Sequence, residues 1–234
     1  MIYHQLQHNS FFQGIDHTNA ANLIEHSHIK NYDKNTILFM HGEDVRFVYI
    51  VMNGWIKLFR ETFDGQEAIL GLASKGDLIG ESNFDRKLHL FGAQTIEEAR
   101  LLKISHLKLK EIVETDGVLA LKVMSALNVS INRLELQVEH ASTMNAAQRI
   151  GCFLIRICSK HNEGKGEIKL PFDKMLIASY LGMKRETFSR GLNELKSLGV
   201  KVKGNLIIVP EIKKLTKFSC ISCSLSNYYC RDCL

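Results

Sequence analysis

The sequence predicts an α+β fold with a β-rich N-terminal half, one long helix and a C-terminal helix-turn-helix. Three patterns in the 234 residues support this prediction. Short apolar segments separated by glycine-containing turns fill the first part of the chain, as in a β-sandwich or barrel. A helix-length segment then carries apolar residues at alternating spacings of three and four. Two short amphipathic segments finally flank a glycine turn at Gly182.

The predicted strands begin with Val45–Met52, which is rich in β-branched and aromatic residues. Asn53-Gly54 follows, and this dipeptide is a strong signal for a hairpin into Trp55–Arg60. Asp64-Gly65 predicts a second hairpin. Further strands are expected at residues 66–72, 78–80, 90–95 and 99–104.

Helices are predicted on both sides of these strands. Residues before Thr36 are expected to form short helices, including Ala20–His26. A long helix is predicted at residues 118–144, with apolar residues at the spacing of a two-stranded coiled coil. These seam residues are Met124, Leu127, Ile131, Leu134, Val138 and Ala141. The alternative is one amphipathic helix that packs on its own β-domain.

Residues 173–198 predict a helix-turn-helix. Asp173 is a suitable N-cap for the first helix, and Leu181-Gly182 end it because glycine adopts the left-handed turn conformation. The second helix opens at Lys184 and has one apolar face. That face consists of Phe188, Leu192 and Leu195, whereas the opposite side carries Arg185, Glu186, Ser189 and Arg190.

The polar side of the second helix suits the edges of DNA bases. Arginine can form two hydrogen bonds with guanine, glutamate can accept one from cytosine, and serine can bond to several base edges. Glu186 and Arg190 are four residues apart, so we also expect them to form an ion pair. The alternative is a solvated helix face, but the preceding helix and turn favour DNA recognition.

A further helix at Ala146–Ser159 and a wing hairpin are predicted on either side of the helix-turn-helix. Cys152 and Cys158 lie on the apolar part of that helix and are interpreted as core residues. The hairpin comprises Val200–Lys203, Gly204-Asn205 and 206–209, and its lysines, Lys203 among them, are expected to contact DNA phosphates.

The distribution of charge agrees with a DNA-binding C-terminal part. From Ala141 onward there are 16 Lys and Arg against 7 Asp and Glu, a net charge of +9, whereas the first 140 residues carry −4. The sequence has neither a long apolar run nor a secretory start, so a cytoplasmic protein without membrane contact is expected. No Walker loop, GxGxxG or nucleophile motif occurs, and an enzyme is not expected.

Four of the six cysteines are close together near the C-terminus. Cys220, Cys223, Cys230 and Cys233 follow the pattern CxxC-x6-CxxC, and four thiolates can complete the shell of a metal ion or cluster. Three interpretations stay open: an iron–sulphur cluster, structural zinc, or thiols that switch between reduced and oxidised forms. A permanent disulfide is disfavoured in a reducing cytosol.

The helix-turn-helix resembles that of the CRP/FNR family of bacterial transcription regulators. The resemblance rests on residues 176–183, on Arg185-Glu186-Thr187 and on Ser189-Arg190, and extends to residues 49–59 and 76–81. It implies a double-stranded β-helix (jelly-roll) effector domain at 1–117, a dimerisation helix at 118–144, a winged helix-turn-helix at 145–217 and a cysteine-rich tail at 218–234.

The resemblance also implies a set of partners and contacts. A homodimer would bind a palindromic operator in double-stranded DNA and work with RNA polymerase. The seam residues would form the dimer interface. Arg185, Glu186, Ser189 and Arg190 would read bases, and Thr187 would be a further DNA-binding residue. Lys184, where many members of the family have Ser or Thr, would contact phosphate, as would Lys203 of the wing.

The residues that bind the regulatory ligand in the two main branches of the family are not both present in this sequence. Cyclic-nucleotide-binding members place an Arg followed by Ser or Thr against the phosphate, downstream of a Gly-Glu pair. Here Gly80-Glu81 is present, but His89-Leu90 occupy the Arg-Ser position, which disfavours a cyclic nucleotide. FNR-type members hold an iron–sulphur cluster on cysteines ahead of the β-domain, whereas no cysteine precedes Cys152 here. The tail cysteines are therefore predicted to hold the cluster, of the 4Fe-4S type, with zinc as the alternative.

Overall fold

Two antiparallel sheets form the N-terminal part of the protein. The structure, a computed structural model, describes residues 11–161, 167–170, 173–204 and 206–220. One sheet has the strand order β1-β8-β3-β6, and the other has the order β2-β7-β4-β5. In chain order the strands are β1 Ser27–Tyr32, β2 Ile37–Phe39, β3 Phe47–Asn53, β4 Ile56–Glu61, β5 Glu67–Ala73, β6 Leu78–Ile79, β7 Gly92–Thr95 and β8 Ala99–Ser105.

The central strands β3 and β8 bury both of their faces. Tyr49, Val51 and Leu101 pack with residues of the second sheet and form the core between the sheets. The alternate residues Val48 and Ile50 point the other way, into a second core formed with helices. Two buried faces explain why these segments are almost continuously apolar rather than alternating.

Three helices accompany the first sheet in the described part of the chain: α1 His17–Glu25, α2 His106–Val113 and the long α3 Gly117–Thr143. Asp16 caps α1 by accepting hydrogen bonds from the backbone N–H groups of Thr18 and Asn19. A short 3-10 turn spans Glu81–Asn83. Helix α3 lies within one residue of the predicted limits at either end.

The Asn53-Gly54 turn does not form the predicted hairpin. Strands β3 and β4, which it connects, belong to different sheets and do not pair. A Cβ atom on Gly54 would lie 2.8 Å from Ala99, and the backbone φ there is +93°. The turn is therefore a tight corner between the sheets, where only glycine permits both the conformation and the close approach. In contrast, Asp64-Gly65 does join paired strands, β4 and β5, as predicted.

The prediction of only short helices before Thr36 was wrong for residues 27–32. This segment is strand β1, which pairs along its whole length with β8, from Ser27 opposite Ile104 to Tyr32 opposite Ala99. The sequence of this segment is polar, which is compatible with a strand at the edge of a sheet. The segment is extended because it pairs with β8, and that pairing outweighs its local preference.

The C-terminal part consists of helices around a small sheet. The helices are α4 Ala146–His161, α5 Lys174–Tyr180, α6 Arg185–Lys196 and α7 Ile212–Ser219. The strands are β9 Glu167–Lys169, β10 Lys201–Lys203 and β11 Leu206–Ile208, and they form a sheet in the order β10-β11-β9. The sequence prediction did not include β9. Packing divides the chain into two units, 1–130 and 131–234. The α+β fold class, with a jelly-roll-like domain, a long helix and a helix-turn-helix domain, is confirmed.

Candidate nucleic-acid interface

Helices α5 and α6 form the predicted helix-turn-helix. The Asp173 carboxylate accepts a hydrogen bond from the backbone N–H of Leu176 at 2.9 Å and so caps α5. Gly182 has φ +61°, and the N–H of Met183 donates to the carbonyl of Ala178 at 2.9 Å, which closes the turn. Lys184 is the N-cap of α6 and makes no side-chain cap bond, as the sequence predicts.

Helix α6 has one buried face and one exposed face. Phe188, Leu192 and Leu195 are at most 5% exposed and pack into the core. The side chains assigned to base reading are all exposed, namely Arg185, Glu186, Ser189 and Arg190. Lys184 is also exposed, and Thr187 is half-buried. The structure thus places Arg185, Glu186, Ser189 and Arg190 on the side of α6 opposite its buried residues, with Lys184 at the N-cap. Thr187 lies at the margin of this side, and Lys203 lies on the wing.

The expected ion pair between Glu186 and Arg190 is absent from the described part of the chain, where the ion pairs involve other residues. Both side chains are exposed, and a solvated pair four residues apart contributes only about 0.2–0.5 kcal/mol. This energy is too small to hold two long side chains in one arrangement. Each side chain is therefore available for other contacts.

Helix α4 holds the helix-turn-helix in place. A Cβ atom on Gly191 of α6 would lie 2.9 Å from the Cδ1 atom of Ile150, so the two helices pack without an intervening side chain. The Arg149 guanidinium donates to the carbonyl of Leu181 at the end of α5. Arg156 donates to the Tyr180 hydroxyl at 2.8 Å. Neither arginine was predicted from the sequence, although two arginines seven residues apart on an apolar helix lie on one face and are a signal for such an anchor.

The wing hairpin forms as predicted from β10 and β11. Lys203 pairs with Leu206 in the ladder, and its side chain is exposed. Strand β9 extends the hairpin on the other side of β11, with Ile168 opposite Ile207.

The seam of α3 is largely uncovered in the single chain. Met124, Ile131, Leu134 and Val138 are 60%, 49%, 55% and 68% exposed. Leu127 is half-buried. By contrast, Leu119 and Val123 of the same helix are buried in the core of the first unit. The seam therefore forms a second apolar stripe beyond the one that packs within the chain.

The cysteines separate into two groups. Cys152 and Cys158 are buried on α4, in agreement with a core role, and burial raises the pKa of Cys158 to about 11. Cys220 is buried where α7 ends. The other three tail cysteines, Cys223, Cys230 and Cys233, lie outside the described residues.

Glu81 and His89, which the family resemblance places at a nucleotide site, are both buried. His89 is 3% exposed and stacks on Phe39 with ring centroids 3.7 Å apart. Its Nδ1 atom lies 3.2 Å from the Asn83 side-chain nitrogen, and burial lowers the pKa of His89 to about 4. The buried Glu81 carboxylate accepts a hydrogen bond from the Ser130 hydroxyl at 2.7 Å.

Comparisons with known families identify both parts of the chain. The model of the cyclic nucleotide-binding domain matches residues 29–116. The model of the Crp-like helix-turn-helix domain matches residues 148–218. In the described residues, no helix combines the length and the apolar character needed to cross a membrane.

Several regulators are similar to the chain over most of its length. It is 27% identical over 203 residues to the "Anaerobic regulatory protein" of Haemophilus influenzae, which covers 85% of this chain and 78% of that protein. It is 26% identical over 202 residues to the "Fumarate and nitrate reduction regulatory protein" of Yersinia pestis, with coverage of 85% and 80%.

Solved structures share the fold. FixK2 from Bradyrhizobium japonicum aligns with a TM-score of 0.75 and 22% identity, over 83% of this chain and 98% of that one. A putative cyclic nucleotide binding protein from Ruegeria pomeroyi aligns with a TM-score of 0.66 and 26% identity, over 93% and 96%. The relatives from Haemophilus influenzae and Yersinia pestis are named as regulatory proteins and not as enzymes. The two matched domains, together with these relatives, show that the chain belongs to the CRP/FNR family of DNA-binding transcription regulators.

Proposed function

We propose that the protein acts in the cytoplasm as a homodimer that binds a palindromic operator and is controlled by its C-terminal cysteines. The proposal that the protein recognises a DNA sequence is supported mainly by the polar, exposed face of α6. Arg185, Glu186, Ser189 and Arg190 project from a helix whose opposite side is anchored in the core. A rigid helix with guanidinium, carboxylate and hydroxyl groups on one side can pair with base edges in a major groove.

The proposed dimer rests on the uncovered seam of α3. Exposure of this apolar stripe to water is unfavourable, because burial of apolar surface contributes about 25 cal/mol of free energy per Å². The stripe consists of Met124, Ile131, Leu134 and Val138. The spacing of the stripe fits pairing with the same helix of a second copy. Such a dimer would present two α6 helices to half-sites about 34 Å apart. Lys184 and Lys203 would contact phosphates, Thr187 would be a further DNA contact, and RNA polymerase would be a further partner.

The proposed sensor is the four-cysteine tail, which would hold an iron–sulphur cluster. The donor set fits, since four thiolates in two CxxC pairs match the ligands of such clusters. Cys220 ends α7, and α7 packs closely on α4, where a Cβ atom on Gly151 would collide with Ser219. The cluster would supply sensitivity to oxygen, nitric oxide or redox state. The first thiol thus follows a helix that packs on α4, and α4 anchors the helix-turn-helix, so ordering or release of the tail can bias the DNA-binding unit.

A second candidate is a regulator gated by a small molecule in the β-domain, with zinc on the tail cysteines as a structural element. A cavity of about 560 Å³ on that domain favours it, with Phe39, Tyr49 and His89 in its wall. A rise in Tm with a cyclic nucleotide, together with loss of stability on chelation of zinc, would support this candidate.

Reversal of one charge on α6 tests DNA reading. Arg190→Glu should weaken binding to an operator selected from random DNA at least tenfold, because a base contact is lost and a carboxylate faces the duplex. Lys196→Glu is the matched control, since it makes the same charge change at the far end of α6. Similar losses for the two variants, with both folded by circular dichroism, would contradict specific reading by this face.

Metal analysis of anaerobically purified protein tests the tail. We expect iron and sulphide with visible absorption, and we expect DNA affinity to change on exposure to air. Cys230→Ser should lose the iron, whereas Cys158→Ala, which removes a buried core thiol, should retain it. Colourless protein that contains zinc and binds DNA equally in air would reject the iron–sulphur proposal and favour the second candidate.

A further inference from the structure

A buried thiol and an imidazole meet beside a small cavity in the C-terminal unit. The Sγ atom of Cys152 on α4 lies 3.9 Å from the Nε2 atom of His140 on α3, within hydrogen-bonding distance for sulphur. Both side chains line a cavity of about 30 Å³ that extends to Tyr180 and Leu181 at the end of α5. The cavity wall thus holds a nucleophilic atom in contact with a group that can accept its proton.

The cavity gives small molecules access to the buried thiol. Cys152 is 5% exposed, whereas Gln137 and His140, which line the cavity from α3, are half-buried and so connect it with the surface. A volume of about 30 Å³ is sufficient for about two water molecules, or for one molecule with about two heavy atoms. Reagents of larger size are excluded from the sulphur.

The imidazole of His140 is suited to accept a proton. Burial is the largest of the causes that lower the pKa of His140, and the neighbouring Glu139 opposes this effect. The charges of Arg156 and Arg149 lower the pKa further. The ring is therefore neutral at physiological pH, and its Nε2 atom can accept a proton in the tautomer that carries hydrogen on Nδ1. Contact with such a base activates a thiol as a nucleophile.

Arg149 distinguishes the surroundings of Cys152 from those of the other cysteine on α4. Its guanidinium lines the cavity and donates a hydrogen bond to the Leu181 carbonyl, an uncharged group that leaves the positive charge in place. A nearby cation favours the thiolate, which is the reactive form of cysteine. Cys158 is 0% exposed, burial raises its pKa to about 11, and it is not among the described residues that line this cavity.

We propose that Cys152 is a site of oxidation by hydrogen peroxide. The thiol proton passes to the Nε2 atom of His140 as the sulphur attacks one peroxide oxygen, and the O–O bond breaks. The other oxygen leaves as hydroxide and takes the proton from His140 to form water. The sulphur is thereby oxidised to a sulphenic acid, and the electron pair that it gives up reduces the peroxide. The step does not depend on the proposed tail cluster, because no tail cysteine takes part in it.

Oxidation at this position would affect the helix-turn-helix. The added oxygen atom occupies part of a cavity whose wall includes Tyr180 and Leu181. Because protein interiors are closely packed, the extra volume displaces the groups around it. Amide exchange of α5 should therefore increase in the oxidised parent, but not in Cys152→Ala after the same treatment. Equal exchange in the two proteins would overturn this link to the helix-turn-helix.

Trapping of the sulphenic acid with dimedone tests the site in the reduced, full-length protein. After treatment with hydrogen peroxide, peptide mass mapping should find the label on Cys152 and not on Cys158, and it reports the tail cysteines separately. His140→Gln, which removes the base, should slow labelling of Cys152 by about tenfold or more. His106→Gln makes the same change at a half-buried histidine of the first unit and should leave the rate within about twofold.

The size of the oxidant provides a second test, which needs no variant. tert-Butyl hydroperoxide is too large for the cavity, so its rate relative to that of hydrogen peroxide should be about tenfold lower for Cys152 than for free cysteine. The same ratio for both thiols would overturn the proposal, as would an unchanged rate in folded His140→Gln. Labelling of Cys152 only after unfolding in urea would also overturn it, because the thiol would then act solely in core packing.

Discussion

At the scale of single residues, several side chains take roles set by their surroundings rather than by their type. The family resemblance predicts that His89 occupies the position that the cyclic-nucleotide-binding branch gives to an arginine, and the structure buries it against Phe39. Glu81 is retained, but its carboxylate accepts a hydrogen bond from Ser130 at 2.7 Å. A buried carboxylate is tolerated only when it is hydrogen-bonded, and here the chain supplies the donor. Residues of this site thus serve the packing of the domain.

The buried imidazole of His89 predicts a dependence of stability on pH. Its pKa is about 4 in the folded protein and near 6.5 when unfolded, so below pH 6.5 the unfolded state binds a proton that the native state does not. The free energy of unfolding should therefore fall as pH decreases from 6.5 to 4, with a contribution from His89 of about 2–3 kcal/mol.

Urea unfolding at several pH values measures this effect. Burial also lowers the pKa values of His106 and His140, which act in the same direction. The informative quantity is therefore the difference between the parent and His89→Phe, which keeps the aromatic stack. A variant whose stability falls as steeply as that of the parent over this range would show that His89 does not titrate as described.

At the scale of secondary-structure elements, helix α3 has different neighbours along different faces. Leu119 and Val123 are buried in the first unit, and Arg133 and His140 line a small cavity together with residues of α4. Its seam is the exposed apolar stripe that remains. An amphipathic helix ordinarily has one apolar face, and a second one indicates a partner.

A charge on the seam should separate the proposed dimer. Leu134→Glu places a carboxylate in the middle of the stripe, where two copies would bury like charges beside each other. We expect a shift from dimer to monomer in analytical ultracentrifugation. Asn132→Glu adds the same charge at an exposed position of α3 off the seam and should leave the mass unchanged. A parent protein that sediments as a monomer would exclude the seam as a dimer interface.

At the scale of the whole molecule, the uneven charge separates a mildly acidic N-terminal part from a basic C-terminal part. The excess charge lies in the unit that carries α6 and the wing. Contacts with phosphates release counterions from DNA, so affinity should fall steeply as salt increases. Base contacts instead determine which sequence is preferred.

A substitution of Lys203 on the wing distinguishes the contribution of phosphate contacts from that of base contacts. Lys203→Gln should weaken binding to all DNA sequences similarly and reduce the slope of log Kd against log salt by about one. Arg190→Gln should mainly reduce the ratio of operator to random-DNA affinity. Fluorescence anisotropy with both DNA types over a range of salt measures both quantities. An unchanged slope for Lys203→Gln would remove the wing from the DNA interface.

The sequence alone was sufficient to predict the helix-turn-helix, the long helix and the wing, because their signals are local. Asp173 caps α5 and Gly182 forms the turn after it, and both act on residues only a few positions away. The buried and exposed faces of α6 follow from the helical spacing of its apolar residues, Phe188 among them. The same holds for the Asp64-Gly65 hairpin, whose two strands are adjacent in the chain.

Only the tertiary structure decided features that depend on residues distant in sequence. The corner at Gly54 depends on Ala99, and the pairing of Ser27–Tyr32 depends on strand β8. The burial of His89 and the contacts of Arg149 and Arg156 with the end of α5 likewise require elements that the fold brings together. Local patterns specify backbone conformation over a few residues, whereas pairing, burial and clusters of charge are set by which surfaces meet.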